Sequence, residues 1–169
     1  YELKRSVGKV FKALGHIINT VDNWESLSPL IRKLGALHNT KGVTLPQYAS
    51  FGKAIVMGAE EILGDAMTSE TRRAWTEFYR VLSDALKKEQ FGGSGSGHNL
   101  TSNQVRLVQS SWRMLQQDDQ TGPVIFRAFF DMEPIALEQF QLHNVRDLYN
   151  SYELKRSVGK VFKALGHII

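Results

Sequence analysis

Cysteine is absent from this 169-residue chain, which excludes disulfides and thiolate chemistry. No useful length of sequence alternates apolar and polar residues with period two, so strands are not called for. No apolar run reaches the ~20 residues of a spanning helix. The first 18 residues are studded with Lys and Arg, so neither a signal peptide nor a membrane anchor is expected, and a cytoplasmic protein is the default. An acid/base pair, a nucleophile constellation, a Gly-rich phosphate loop and zinc spacing are also missing. A conventional hydrolase or transferase therefore has nothing to rest on.

What the chain does have is one stretch present twice. Tyr-Glu-Leu-Lys-Arg-Ser-Val-Gly-Lys-Val-Phe-Lys-Ala-Leu-Gly-His-Ile-Ile occupies residues 1–18 and, without a substitution, residues 152–169. Natural internal repeats drift apart and stack as several similar units, whereas a perfect duplication at the two extremes suggests a chain cut and rejoined. Gly92–Gly97, Gly-Gly-Ser-Gly-Ser-Gly, has the composition of a flexible linker. Together the two features read as an engineered circular permutant. Fully extended, such a linker reaches about 20 Å, with a typical flexible span near ~13 Å, enough to join neighbouring helix ends.

The repeated stretch is itself an amphipathic helix. Leu3, Val7, Val10, Phe11, Leu14 and Ile18 recur at helical spacing, with Glu2, Lys4, Arg5, Lys9 and Lys12 on the complementary surface. Gly8 and Gly15 each cost such a helix about 1 kcal/mol relative to Ala. They are either sites of close helix packing or tolerated surface glycines.

Removing one copy and the six-residue linker leaves 145 residues, enough for a single domain over residues 1–169 with one sizeable core. The net charge is +4, of which each copy of the repeat contributes +3. The basic balance thus comes largely from the duplication, and neither nucleic acid nor an anionic membrane is expected as a partner.

Beyond the first copy, Ser28 and Pro29 read as the start of a helix whose stripe is Leu30, Leu34, Leu37 and His38, with a stop at Asn39–Gly42. Thr44-Leu-Pro-Gln47 is a capping-box pattern ahead of Tyr48, Phe51, Ile55, Ala59, Ile62 and Leu63. Thr68 opens a helix carrying Trp75, Phe78, Tyr79, Leu82 and Leu86. After the linker, Thr101-Ser-Asn-Gln104 is a second capping box, followed by Val105, Val108, Trp112 and Leu115. Gly122-Pro123 introduces Val124, Ile125, Phe126, Phe129 and Phe130, and Pro134 starts a short turn leading to Phe140. The architecture is all-α.

Rotated to begin at Asn99 and run through the second repeat into residues 19–91, the chain resembles an animal globin, similar to neuroglobin and globin X. The resemblance covers essentially the whole rotated chain. It rests on Trp112, Gly122, Phe126, Pro134 followed six residues later by Phe140, Val161 or Val10, Leu34 one turn before His38, and Trp75. Several spacings have to agree at once, which makes the set specific.

The resemblance implies a globin fold in the order E-F-G-H, linker, A-B-C and a second E. It implies haem b as cofactor and His38 as the proximal ligand of the iron. A neutral imidazole is the usual proximal ligand in globins, and of the five histidines only His38 gains from its context. Phe140 corresponds to the phenylalanine stacked on the haem, Phe126 to a distal-pocket residue, and Val10 or Val161 to the valine over the haem. Tyr48 and Val43 are expected to line the proximal side, and Leu34, one turn before His38, is a further expected cofactor-binding residue.

The distal position is Ser6 or Ser157, where most animal globins carry histidine. A five-coordinate or water-bound iron open to O2, CO or NO is therefore expected. Lys9 or Lys160 either pairs with a haem propionate or is simply solvated, and His143 is the remaining candidate for a sixth ligand.

Two classes of function stand. One is reversible binding of diatomic gases, as in oxygen transport, without an enzymatic role beyond side activity on nitric oxide or nitrite. The other is an engineered switch or domain-swapping scaffold in which haem is mainly structural. The duplicated helix argues for the second, because gas binding needs one copy. Two copies competing for one slot would leave the first or the second dangling, or dock one into a neighbouring chain as a domain-swapped homo-oligomer.

Overall fold

The computed structural model describes residues 2–93 and 100–140, with side chains described from Arg5 onward. Seven α-helices follow one another among the described residues: α1 (Glu2–Thr20), α2 (Ser28–Lys41), α3 (Leu45–Leu63), α4 (Ser69–Phe91), α5 (Ser102–Gln116), α6 (Thr121–Met132) and α7 (Ala136–Gln139). Short 3-10 segments, Val21–Leu27 and Gly64–Ala66, connect α1 to α2 and α3 to α4. No strand occurs among the described residues, as the missing period-two pattern predicts. None of the described helices is long and apolar enough to cross a membrane.

Local chemistry sets the helix ends. At α5 the Thr101 hydroxyl accepts from the Gln104 N–H at 3.1 Å, and the Gln104 side chain accepts from the Thr101 N–H at 3.0 Å, a complete capping box. At α3 the Thr44 N–H donates to Gln47 Oε1 at 2.9 Å. Thr68 caps α4 by accepting from the Thr71 N–H at 3.1 Å. The start of α2 differs from the sequence expectation: Ser28 is already helical and Leu27 holds the cap position without a side-chain bond. Val21–Leu27 enters as a 3-10 segment that leads directly into the helix, so no hydroxyl cap is used.

The core is aromatic. Trp75, Trp112, Phe78, Phe126 and Phe130 are fully buried, and Trp75 donates its indole N–H to Ser111 Oγ at 2.8 Å. α3 packs against α6, α2 against α4, and α4 against α5, while α1 packs against both α5 and α6. The stripe of α1 faces inward through Val7, Leu14, Ile17 and Ile18, with Val10 and Phe11 half-buried. Ile17 joins a face that the heptad-like spacing had not included.

The two glycines of α1 divide between the two readings open in the sequence. Gly8 is exposed with open space beside it, whereas Gly15 is buried with Trp112 Nε1 only 3.3 Å from where a Cβ would sit. Across the same interface, a Cβ on Gly122 would come within 2.9 Å of Val7 Cγ1, so α1 approaches α6 closely there. The first copy of the repeat therefore occupies the groove over α5 and α6. The second copy lies outside the described residues, as do Ser157, Lys160, Val161, His98, His143 and His167.

α2 is turned differently from its apparent stripe. Its buried positions are Ile31 and Gly35, the latter against Glu89 of α4. Leu30 and Leu34 are half-buried, and Leu37 is 48% exposed. Ile31, Leu34, Gly35 and His38 stand at i, i+3, i+4 and i+7, so His38 shares the face that Gly35 brings onto α4, and the apparent stripe of Leu30, Leu34 and Leu37 is rotated away from it.

Candidate functional site

His38 lies in the last turn of α2, and the helix ends where Gly42 takes a left-handed conformation (φ 70°) that favours glycine. That turn lets the Val43 N–H bond back to the His38 carbonyl at 3.0 Å, placing Val43 directly behind the histidine. Tyr48, one turn into α3, is 4% exposed. Its hydroxyl lies 2.8 Å from His38 Nδ1, with the ring centroids 5.5 Å apart.

A chain of hydrogen bonds decides which imidazole nitrogen carries the proton. The Val43 carbonyl can only accept, so the group 2.7 Å away on Gln90 is its Nε2–H. The Gln90 amide is thereby oriented with Oε1 toward Tyr48, and Oε1 accepts from the Tyr48 hydroxyl at 2.6 Å. Having given its one hydrogen to Gln90, the Tyr48 oxygen accepts from His38, so Nδ1 is the protonated nitrogen. In the neutral ring Nε2 then keeps its lone pair. Burial favours this neutral form by holding the His38 pKa below its ordinary value. Burial also pushes the Tyr48 phenol up to about 12, so it stays a donor. Tyr79, raised further by burial, donates to the Tyr48 carbonyl at 2.6 Å and fixes the backbone there.

The apolar positions gather around the same core. Val10, Leu34, Val43 and Phe140 are all partly buried against it. Phe126 is 1% exposed and lies 5.6 Å from Phe140 in an edge-on arrangement. Phe140 meets Phe130 in the same way. On α1, Ser6 is half-buried and Lys9 is exposed.

The donor set suits a flat, apolar group whose metal needs one neutral nitrogen ligand. Among the described residues no group of three or more His, Cys, Asp or Glu could hold a bare metal ion, whereas one imidazole with its far nitrogen fixed as a donor is a ready axial ligand. Sequence reasoning named His38 and Tyr48, which the structure brings within 2.8 Å of each other, and did not name Gln90, which bonds to Tyr48. That glutamine sits between Glu89 and Phe91 at the frayed end of a helical pattern, where nothing in spacing marks it.

The comparisons bear on the same stretch. Residues 1–86 match the family described as Globin, which is just over half of the chain. The chain belongs to the globin family. Among its relatives, the flavohemoprotein of Bacillus subtilis is 29% identical over 66 residues, 39% of this chain and 16% of that protein. The flavohemoprotein of Rhizobium meliloti is 36% identical over 66 residues, again 39% of this chain and 16% of that protein. The leghemoglobin of Psophocarpus tetragonolobus is 42% identical over 55 residues, 32% of this chain and 38% of that protein. The chain thus spans only about a sixth of the flavohemoproteins it matches. No solved structure matches this globin.

Proposed function

We propose that this globin holds haem b with His38 as the proximal iron ligand and binds O2, CO or NO reversibly on the side of α1. The observation that carries this is the relay from the Val43 carbonyl through Gln90 and Tyr48 to His38, which leaves the Nε2 lone pair available. The relatives' names, flavohemoprotein and leghemoglobin, support haem as the cofactor. Bound haem would supply an iron centre able to take one diatomic ligand.

The chain's own residues do the rest. His38 binds the metal from one side, while Tyr48 and Gln90 hold its ring and its proton. Phe140, with Phe126 behind it, and Leu34, Val43 and Val10 exclude water from an apolar site. Ser6 is the side chain at the distal position, and one hydroxyl hydrogen bond contributes about 1 kcal/mol to a bound ligand. Lys9, being exposed, reaches a propionate or solvent but not the interior.

The subtype we infer is that of neuroglobin and globin X, in a circularly permuted order. In its support, the family match ends at residue 86, before Gly92–Gly97, and the helices after that segment pack back onto α1, α3 and α4. The second reading, an engineered swap or switch scaffold, draws on the identical segments 1–18 and 152–169.

Absorption spectra of the purified protein, ferric, ferrous and CO-bound, test the proposal on the parent and on His38→Ala. A five-coordinate ferrous spectrum that converts cleanly with CO, and changes on losing His38, is expected. A six-coordinate ferrous spectrum would refute the open distal side, and one unaltered in His38→Ala would refute the proximal assignment. The absence of any haem spectrum would leave only the scaffold reading.

A further inference from the structure

A second polar cluster lies outside the relay. Gln47, in the first turn of α3, is only 2% exposed. Its Nε2 donates to Oε1 of Gln139, the last residue of α7, at 2.7 Å. The Gln139 Nε2 faces the Gly42 carbonyl at 3.0 Å, the Lys41 carbonyl at 3.2 Å and Gln47 Oε1 at 3.2 Å. Backbone carbonyls only accept, so the Gln139 amide has a single workable orientation. Its oxygen therefore turns to Gln47, and Gln47 Oε1 turns to the Thr44 N–H.

The two ends of this cluster are functional in the reading given above. Lys41 and Gly42 form the turn that ends the His38 helix. Gln139 immediately precedes Phe140. One turn further along the same face of α3, Ser50 donates to Glu133 Oε1 at 2.7 Å, adding a second rung between α3 and the corner joining α6 to α7. The segment bearing Phe140 is thus bolted by side chains to the turn behind His38, although about a hundred residues separate them in sequence.

We propose that Gln47 and Gln139 are positioning residues that hold Phe140 and His38 in fixed relation, so that one amide pair, buried at Gln47, sets both walls of the haem site. The proposal rests on the assignment of His38 as iron ligand. It accounts for a buried glutamine at a position where a capping box alone would be satisfied with an exposed one.

The test uses Gln47→Leu, Gln139→Ala and the double variant of the full chain, with Ser111→Ala as a control that removes a buried hydrogen bond far from this cluster. Two readouts are needed. In the haem-free protein, hydrogen exchange of peptides covering 39–48 and 134–140 is followed; Gln139→Ala is expected to raise exchange in both segments together. In the haem-loaded protein, transfer to a haem-scavenging apoglobin is timed. Each single variant is expected to release haem about fivefold to thirtyfold faster, as loss of one or two hydrogen bonds implies, and the double variant no faster than the singles. Ser111→Ala should leave release unchanged.

Exchange confined to the mutated segment, or release rates that multiply in the double variant, would overturn the coupling. Gln47→Leu and Gln139→Ala remove opposite ends of the pair, so a folding failure in one leaves the other decisive. Failure of the parent to take up haem would refute the assignment of His38, while the exchange experiment would still decide the coupling.

Discussion

Replacing Tyr48 by Phe removes one oxygen atom and breaks the relay at its centre. His38 Nδ1–H loses its acceptor at 2.8 Å and Gln90 Oε1 loses its donor at 2.6 Å, while the ring keeps its place in the core. Two neutral hydrogen bonds at about 1 kcal/mol each give a loss of about 2 kcal/mol, or roughly 4–8 °C in the melting temperature of a chain this size. The larger effect is on the ligand. A metal-binding histidine whose outer nitrogen is left unheld typically loses about 10–100-fold in metal affinity, and its ring becomes free to rotate. Thermal melts of the haem-free protein and the iron–histidine stretching frequency of the ferrous protein measure the two effects. Ser111→Ala is the matched control: it gives up the 2.8 Å bond from the Trp75 indole and should lower stability without moving that frequency. If Tyr48→Phe leaves the frequency and the haem affinity at parent values, the relay does not set the state of His38.

Gln90→Glu sets a carboxylate oxygen against the Val43 carbonyl, two acceptors where Gln90 Nε2 donated at 2.7 Å, so it is expected to lower the urea midpoint at neutral pH and to regain part of it in acid, where the protonated carboxyl can donate. Gly122→Ala puts a methyl 2.9 Å from Val7 Cγ1 and should cost about 1–3 kcal/mol, read as a lower urea midpoint. Leu14→Asp disables the copy of the helix seated in the groove; because segment 152–169 repeats it residue for residue, the single variant should still bind haem, and Leu14→Asp with Leu165→Asp should not. In an alkaline titration followed by phenolate absorbance, Tyr48 and Tyr79 should ionise well above the ordinary tyrosine range. Their folded pKa values lie above the unfolded value near 10, so the stability they lend is complete below pH 10 and is lost as pH rises toward about 12.

The helices were legible because their signals are local. Thr101 and Gln104 make both arms of their capping box, and Gly42 ends α2 where the Asn39–Gly42 stop signal falls. The orientation of α2 was not legible: Leu30, Leu34 and Leu37 form the obvious stripe, yet Ile31 and Gly35 are buried, because a glycine can bring two helices together without adding any hydrophobic signal of its own. Of the candidate site, His38 and Tyr48 could be named from the sequence, but the bonds between them could not. Gln90 and Gln139 are polar residues near helix ends, 42 residues from Tyr48 and 92 from Gln47. Their importance exists only once four helices have brought them together.

α4 ends at Phe91, so Gln90 is the penultimate residue of the helix and Gly92 and Gly93, both at positive φ, follow it at once. A change in the length of Gly92–Gly97 therefore enters the chain within two residues of the side chain that orients the Tyr48 hydroxyl. The length of that segment is thus expected to act on the relay, and an iron held by His38, as proposed, would be its gauge. A series of chains differing only in the number of glycines and serines after Phe91 should trace a graded shift in the iron–histidine frequency, with no residue of the haem site altered.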